Sequence, residues 1–214
     1  MGGEWAARNS IVEACRRMNA LGINQGTSGN ISVRWRDGLL ISPSGVDYAG
    51  MTAHDVVFLR YDGSYQGDVK PSSEWRFHAA IIERKPEVGS VVHTHAIYCT
   101  TLAIRGMGIP AVHYMVAAAG GPDIPCVPYV TFGTRELADL VVEALRERAA
   151  CLLANHGMIA TGPDLRKALW LAVEVETLAR QYFNALLIGG PNVLTDAQIV
   201  ATQRRFESYG QGRG

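Results

Sequence analysis

The chain has 214 residues and a mass of 23.2 kDa, enough for one domain that buries a sizeable core. Hydrophobic residues make up 48% and charged residues 19%, a globular composition that excludes a disordered or fibrous protein. Basic and acidic residues number 20 each and no basic run occurs, so neither nucleic acid nor an anionic membrane is expected as the main partner.

The first predicted elements are a helix and a β-hairpin. Apolar residues recur at helical spacing in "EWAARNSIVEACRRMNALG", which closes on Gly22. A glycine-rich turn leads into an alternating strand in which Ile31, Val33 and Trp35 face one way, and "RDG" turns the chain back into "GLLISPSG". The strand "DVVFLRYDG" follows. This part of the chain therefore favours antiparallel pairing.

Helices and strands alternate in the rest of the chain. In "VKPSSEWRFHAAIIERKP", Ser72 or Ser73 is the expected N-cap of a helix that carries Glu74 in its first turn and ends at Pro86. The strand "GSVVHTHAIY" and a segment punctuated by Gly and Pro (residues 106–128) come next. The remaining elements are a helix beginning after Thr134, a strand "ACLLANHGMIATG", a long helix from Asp164 to Leu187 and a last helix from Thr195 to Ser208.

No internal repeat or linker interrupts this order. The sequence therefore predicts a single α/β domain over residues 1–214, in which helices cover a mixed or antiparallel sheet. A doubly wound parallel sheet also fits the alternation of elements, but the early hairpin weighs against it.

The cellular location is indicated by what the sequence lacks. The four cysteines are scattered without a C-x-x-C pair, which suits a reducing compartment better than a disulfide framework. The N-terminal "MGGEWAARNS" has no apolar core of a signal peptide. The apolar segment "ALWLAVEVETLA" is interrupted by Glu174 and Glu176, so no membrane span is expected. We therefore expect a soluble, cytoplasmic protein.

Two histidines stand one residue apart inside an apolar strand. In "VVHTHAIY", His93 and His95 lie on one face, because residues i and i+2 of a strand share a face. The pair is either a satisfied feature of the core or half of a metal site. His156 ends a second apolar strand just before Gly157 and is either a turn residue or a third ligand. Three imidazoles are the protein complement of a catalytic zinc site whose fourth position stays open.

Glu74 and three small-residue loops complete the candidate site. The helix macrodipole favours a carboxylate in the first turn, and a carboxylate beside a metal can both ligate it and act as a base. The segment "PSSE" presents two hydroxyls and free backbone N–H groups at a helix N-terminus, where phosphate is readily held. The loops "GTSGN" (26–30) and "SPSG" (42–45) add further donors. Beside a candidate metal site, these loops indicate a phosphorylated substrate.

These motifs, taken in order, resemble a known family. "GTSGN", "SPSG", "KPSSEWRFH", "HTHAIY" and "NHG" are similar to the class II aldolase/adducin family, and most closely to its sugar-phosphate aldolases. The likeness continues through "PAVHYMVAAAGG", "VPYVTFGTRELA", "KALWLAVEVETLA" and the terminal "RFESYG". It implies a three-layer α/β/α domain around a central, mainly antiparallel sheet. It also implies a homotetramer with active sites at the subunit interfaces.

The resemblance also implies roles for individual residues. One Zn²⁺ per subunit would be held by His93, His95, His156 and Glu74, and Glu74 would also act as acid and base. Tyr114, acting in the neighbouring subunit's site, and Tyr209 would be further catalytic residues. Tyr209 would also shape the aldehyde side together with Phe132 and Phe206. The substrate and its phosphate would be bound by Thr27, Gly29, Asn30, Ser44, Gly45, Ser72 and Ser73.

The implied activity is zinc-dependent retro-aldol cleavage of a ketose 1-phosphate. A substrate such as L-fuculose 1-phosphate would give dihydroxyacetone phosphate and a small aldehyde such as lactaldehyde, through an enediolate that the metal stabilises. Related zinc enzymes are alternatives: a 5-deoxypentulose 1-phosphate aldolase, a methylthioribulose 1-phosphate dehydratase, or a pentulose-phosphate 4-epimerase, which resembles "SSD" where this chain has "SSE". A non-enzymatic, adducin-like binding module is the alternative of another class, although it can dispense with the metal ligands that are present here.

Overall fold

The computed structural model describes residues 2–207. Its strands are β1 (Asn30–Trp35), β2 (Gly38–Ile41), β3 (Val57–Arg60), β4 (Ser90–Thr94), β5 (Ile109–Pro110), β6 (Asp123–Ile124), β7 (Cys126–Val127), β8 (Ala150–Leu153) and β9 (Gly157–Gly162). Its α-helices are α1 (Gly2–Ala20), α2 (Trp75–Arg84), α3 (Ile97–Ile104), α4 (Arg135–Ala144), α5 (Leu165–Leu187) and α6 (Asp196–Glu207). A 3-10 helix spans Tyr114–Ala119.

A seven-stranded sheet forms the centre of the fold, in the order β3-β2-β1-β4-β9-β8-β7. Strands β7 and β8 pair in parallel, whereas the other neighbours in this sheet pair antiparallel. The predicted central, mainly antiparallel sheet is therefore confirmed. Strands β5 and β6 form a separate two-stranded sheet.

Each face of the central sheet buries its own apolar core. Side chains of β4 alternate between the two cores, with Val92 facing α1, α3 and α5 and Val91 facing α2 and α4. The same alternation separates Met158 and Ile159 of β9, as the twofold period of a strand requires. The result is the predicted three-layer α/β/α arrangement.

The predicted strand "GSVVHTHAIY" is too long, because β4 ends at Thr94 and α3 begins at Ile97. His95 therefore follows the strand instead of lying within it. The sequence after it contains β-branched and aromatic residues with low helix propensity, which explains the strand prediction. A contact from α5 offsets that propensity: the Glu176 carboxylate accepts hydrogen bonds from the Tyr98 N–H and the Cys99 N–H, each at 2.9 Å.

The predicted strand "ACLLANHGMIATG" is two antiparallel strands. The chain leaves β8 at Leu153, turns through residues 154–156 and returns as β9 from Gly157. Asn155 has a φ of 55°, in the left-handed region that Asn tolerates better than most residues. His156 consequently lies in the turn and not at the end of a finished strand.

The cap predicted for α2 is also different. Glu74 occupies the N-cap position and its side chain makes no capping hydrogen bond, while Ser72 Oγ accepts from the Glu74 N–H at 3.3 Å. The Glu74 carboxylate is therefore not used by the helix end and can point elsewhere. Among the described helices, none is long and apolar enough to cross a membrane.

Candidate metal centre

Four predicted ligands converge at one end of the central sheet. One ligand atom from each of Glu74, His93, His95 and His156 can be chosen so that all four lie within 4.8 Å of one another. Glu74 Oε2 lies 3.1 Å from His93 Nε2, and Glu74 Oε1 lies 3.2 Å from His156 Nε2. His95 Nε2 lies 3.1 Å from His93 Nε2. Glu74 and His93 are buried, whereas the other two histidines are partly exposed, so the cluster has a closed side and an open side.

Strand pairing brings these side chains together. The start of β1, the end of β4 and the start of β9 lie side by side, since His93 pairs with both Asn30 and Ile159. His95 follows β4 directly, and His156 occupies the β8–β9 turn at the same end of the sheet. Glu74 reaches this edge from the beginning of α2, which covers one face.

One hydrogen bond leaves the ligand atom of His93 with a lone pair available to a metal. The Nδ1 of His93 lies 2.9 Å from the Met158 carbonyl oxygen, which can only accept, so neutral His93 carries its proton on Nδ1. The His93 Nε2 then carries a lone pair and no proton, and it faces Glu74 Oε2. Glu74 Oε1 is buried and accepts no hydrogen bond, although the His156 ring is close. A buried acceptor without a donor is costly, and a cation satisfies it.

The protonation states suit ligation. Burial favours a raised pKa for Glu74, but in the metal-free protein the positive charge and hydrogen bonds that the protonated forms of His93 and His156 supply lower it by more, so the pKa of Glu74 lies well below its usual range and the carboxylate is ionised. Burial, with contributions from His93 and His156, lowers the pKa of His95 to about 4, so this ring is neutral at pH 7. Neutral imidazoles and an ionised carboxylate are the forms that bind metals. The donor set therefore fits a divalent metal such as zinc.

Gly157 makes room for the histidines. A Cβ atom at this position would lie 2.4 Å from the Thr94 carbonyl oxygen and 3.0 Å from His95 Cδ2. A Cβ contact under 3.0 Å forces a shift, and the first of these neighbours is backbone. The absence of a side chain at Gly157 thus permits the β4 and β9 strand ends to approach closely enough for the three rings to meet.

The predicted phosphate loops lie at the same end of the sheet. The Ser44 N–H donates to the Lys70 carbonyl and the Ser72 N–H donates to the Ser42 carbonyl, each at 3.0 Å, so "SPSG" and "PSSE" run side by side. Gly29 lies against β4, because a Cβ there would come within 2.6 Å of the His93 carbonyl oxygen. The hydroxyl-bearing or glycine residues Thr27, Ser44, Gly45 and Ser73 are exposed to solvent.

Asn30 is buried next to the cluster rather than exposed in a loop. Its Nδ2 donates to Glu74 Oε2 at 3.0 Å, and its Oδ1 lies 2.5 Å from His78 Nε2. Both ends of the amide therefore have protein partners, which the prediction of substrate binding by Asn30 did not anticipate.

The remaining predicted residues fall into two groups. Phe132 is exposed on the loop before α4, next to Gly133, whose carbonyl accepts from Arg76 Nη1 at 2.9 Å. Tyr114 and Phe206 lie together on another cavity, with ring centroids 6.4 Å apart. Tyr209 lies outside the described residues.

Sequence reasoning did not assign the residues that support Glu74. His78 and Ser32 are fully buried and hydrogen-bonded to each other at 2.7 Å. His78 stands four residues after Glu74, on the same face of α2, and Ser32 shares a face of β1 with Asn30. Both spacings can be read in the sequence, in "SSEWRFH" and in "NIS". They indicate that each pair shares a face of its element, but not that the two pairs meet.

Comparison with known proteins gives the family. The sequence model of the "Class II Aldolase and Adducin N-terminal domain" matches residues 9–183. The chain belongs to this family. It is 50% identical over 201 residues to an L-fuculose phosphate aldolase of Escherichia coli strain K12, covering 94% of each chain. The chain is therefore a class II aldolase, a lyase, which bears out the enzymatic prediction over the binding module.

Two further relatives define the range of the likeness. A 5-methylthioribulose-1-phosphate/5-deoxyribulose-1-phosphate aldolase of Rhodospirillum rubrum is 50% identical over 209 residues, covering 98% of this chain and 95% of the relative. A solved structure of an L-fuculose 1-phosphate aldolase superposes with a TM-score of 0.91 at 33% identity, covering 94% of this chain and 96% of that one. Class II aldolases are metal-dependent, in agreement with the cluster of one glutamate and three histidines.

Proposed function

We propose that the protein cleaves a ketose 1-phosphate such as L-fuculose 1-phosphate to dihydroxyacetone phosphate and a small aldehyde such as lactaldehyde, with Zn²⁺ as its metal. The observation that carries this proposal is the set of four ligand atoms within 4.8 Å of one another, at the end of the sheet where the small-residue loops also lie. The names of the E. coli relative and of the superposed structure support the choice of substrate.

A second substrate is favoured by a specific observation. The Rhodospirillum rubrum aldolase for methylthioribulose and deoxyribulose 1-phosphates has the same 50% identity to this chain as the E. coli enzyme. Both kinds of aldolase would produce dihydroxyacetone phosphate and would differ in the aldehyde. A methyl or methylthio difference in a pocket changes discrimination by only about 1–3 kcal/mol, so few residues need to differ between such enzymes.

In this proposal His93, His95, His156 and Glu74 hold the metal. When bound, Zn²⁺ polarises the substrate carbonyl and stabilises the negative charge that develops during cleavage. Glu74 also moves a proton, since its Oε1 accepts no hydrogen bond from the protein. The loop residues Thr27, Gly29, Asn30, Ser44, Gly45, Ser72 and Ser73 bind the phosphate and the adjoining substrate atoms. They do so through hydroxyls and backbone N–H groups other than those of Ser44 and Ser72, which donate to backbone carbonyls.

The reaction needs proton transfers but no redox partner. The C4 hydroxyl loses its proton, the C3–C4 bond breaks and its electron pair stays on C3, and C3 then gains a proton. Tyr114 of a neighbouring subunit handles the proton at the C4 oxygen and Glu74 returns the proton to C3, while Tyr209, Phe132 and Phe206 border the aldehyde. A lysine Schiff base is not required, and Lys85 Nζ already donates to the Leu145 carbonyl.

The test is a coupled assay for dihydroxyacetone phosphate over a panel of ketose 1-phosphates. We expect cleavage by the zinc-loaded protein, loss of cleavage after chelation, and recovery when Zn²⁺ is returned. Glu74→Gln should retain the fold but lose at least about 100-fold in kcat, the usual range for removing an acid or base. Full activity of a metal-stripped sample would contradict the proposal. Turnover without dihydroxyacetone phosphate would instead indicate epimerisation or dehydration.

We also propose the assembly and the location that the resemblance implies. One domain over residues 1–214 would form a homotetramer in the cytoplasm, with each active site at a subunit interface. Tyr114 is exposed and lines a cavity that includes none of the four predicted ligands, which supports a role in a neighbouring subunit. Light scattering coupled to size-exclusion chromatography measures the assembly, and cell fractionation measures the location.

A further inference from the structure

A row of four buried polar side chains leads from the core to the metal cluster. Ser32, His78, Asn30 and Glu74 are each at most 5% exposed. Ser32 Oγ lies 2.7 Å from His78 Nδ1, His78 Nε2 lies 2.5 Å from Asn30 Oδ1, and Asn30 Nδ2 lies 3.0 Å from Glu74 Oε2. We call these residues the Ser32–Glu74 relay.

The chemistry of the groups fixes the direction of every hydrogen bond in the relay. The ionised Glu74 carboxylate can only accept, so the Asn30 NH₂ group donates to it and Asn30 Oδ1 faces His78. His78 Nε2 must then carry a proton and donate. Burial and the nearby His93 lower the pKa of His78 to about 3, so the ring is neutral, and its Nδ1 accepts from the Ser32 hydroxyl. In each of the three hydrogen bonds, the residue farther from Glu74 along the relay is therefore the donor.

The relay joins two elements that position ligands. Asn30 and Ser32 lie on β1, and Asn30 is the cross-strand neighbour of His93. His78 lies on α2, one turn after Glu74. Phe77 stacks on the His78 ring at 4.7 Å and meets the His93 ring edge-on at 5.4 Å, which closes the relay against the core. The position of Glu74 is thereby tied to that of His93.

The two oxygens of Glu74 have different environments as a result. Oε2 is held by Asn30, whereas Oε1 accepts no hydrogen bond and faces His156. The α2 N-terminus does not fix the carboxylate, because Glu74 makes no capping bond. Without the relay, the carboxylate could rotate and exchange its two oxygens.

We propose that His78 is a positioning residue: supported by Ser32, it locks the Asn30 amide, which holds Glu74 Oε2 in place and leaves Oε1 to meet the metal and to move the proton. This inference rests on the proposed function of Glu74. His78 itself touches neither metal nor substrate. Residues that orient metal ligands typically affect metal affinity or activity by about 10- to 100-fold.

Two amide substitutions of different length test the hydrogen bond separately from polarity. The amide of Gln at position 78 reaches the place of Nε2 and can donate to Asn30, whereas the shorter Asn reaches only the place of Nδ1. Zinc affinity is measured on metal-stripped protein by competition with a chromophoric chelator, and kcat and KM by the coupled assay. We expect His78→Gln to bind zinc within about threefold of the wild type, and His78→Asn and His78→Leu to bind about 10- to 100-fold more weakly.

The kinetic expectation is a fall in kcat with little change in KM for His78→Asn, because the relay acts on Glu74 and not on the phosphate loops. Ser90→Ala is the matched control, since Ser90 is an equally buried serine whose Oγ donates to the Ser32 carbonyl outside the relay. It should lower thermal stability and leave zinc affinity unchanged.

Two results would overturn the relay. One is equal zinc affinity in wild type, His78→Gln and His78→Asn; the other is equal weakening in both amide variants, which would indicate packing alone. If His78→Leu does not fold, the comparison of zinc affinity between His78→Gln and His78→Asn still tests the relay. A wild-type protein that neither binds zinc nor cleaves substrate would instead reject the proposed function.

Discussion

Gly157 is the residue at which the smallest chemical change should disturb the cluster. We expect Gly157→Ala to weaken zinc binding by at least about 10-fold and to cost about 1–3 kcal/mol in stability, because its Cβ would come 2.4 Å from the Thr94 carbonyl oxygen and push on the His95 ring. Chelator competition and chemical denaturation measure the two effects. Gly50→Ala is the control, since its nearest neighbour would be at an ordinary 3.9 Å. Unchanged zinc affinity in Gly157→Ala would show that the strand ends are not closely constrained.

His78 also makes stability depend on pH. Its pKa is about 3 in the fold because of burial and the His93 ring, against an ordinary value of 6.5. Between these pH values the unfolded chain binds one proton more than the folded chain, so the free energy of unfolding is highest above pH 6.5 and falls with decreasing pH. The contribution is at most about 1.4 kcal/mol per pH unit.

The measurement is urea denaturation of metal-free protein between pH 7.0 and pH 5.0, a range that lies above the ordinary pKa of the carboxyl groups. His78→Gln should show a shallower decline than the wild type because glutamine does not titrate. Parallel curves for the two proteins would show that His78 titrates in the fold much as it does in the unfolded chain.

At the scale of elements, the junction between β4 and α3 depends on a residue far away in the sequence. The Glu176 carboxylate of α5 accepts from two backbone N–H groups in the first turn of α3, where the helix dipole also favours negative charge. We expect Glu176→Gln to lose about 1–2 kcal/mol of stability, since the amide keeps one acceptor oxygen and loses the charge. His95, which precedes α3, should bind zinc more weakly as well.

Glu174→Gln is the matched control for Glu176→Gln. Glu174 lies two residues earlier on α5 and interacts with His113, and its pKa is raised by partial burial, so neutralising it should not destabilise α3. Denaturation of metal-free protein and chelator competition give the two readouts. Equal effects of the two substitutions would show that charge on α5, and not the contact with α3, is responsible.

The sequence was a good guide to elements whose pattern is regular and local. The early hairpin, the α2 helix and the long α5 helix follow from alternation, helical spacing and flanking prolines, and they lie where they were predicted. Helix α3 was missed because its stability depends on Glu176, 78 residues after Tyr98. The β8–β9 turn was missed because only Asn155 and Gly157 indicate a turn inside an otherwise apolar run.

The ligand residues of the site were predicted from the sequence, but the contacts that support them were not, because those contacts join residues far apart in the chain. His93, His95, His156 and Glu74 were predicted from residue type, spacing and family resemblance, and the structure brings them together. The Ser32–Glu74 relay joins residues 46 apart in sequence, which no periodicity reveals. The loops "SPSG" and "PSSE" were identified as separate motifs, but their side-by-side arrangement depends on backbone hydrogen bonds between them.

At the scale of the whole molecule, the described surface carries several large apolar side chains that are exposed. Leu187 and Ile188 at the end of α5 are 70% and 87% exposed, and Val193, between α5 and α6, is 55% exposed. Ile97 and Ile104 of α3 are 55% and 58% exposed. Scattered single hydrophobic residues are ordinary, but several on neighbouring segments are typical of surfaces that other subunits cover. They agree with the proposed tetramer, in which Tyr114 would belong to the site of a neighbour.

Mixing two inactive variants tests the shared site. Glu74→Gln removes the acid and base of a subunit's own cluster, and Tyr114→Phe removes the hydroxyl that this subunit would lend to a neighbour. If each site combines both residues from different subunits, mixed tetramers regain some intact sites.

Random assembly of equal amounts gives about a quarter of the wild-type activity, because a site needs a wild-type residue from each of two subunits. The control is the same pair of substitutions made in one chain, mixed with Glu74→Gln, which should stay inactive. Activity that merely equals the average of the two variants would contradict sharing and place each complete site within one subunit.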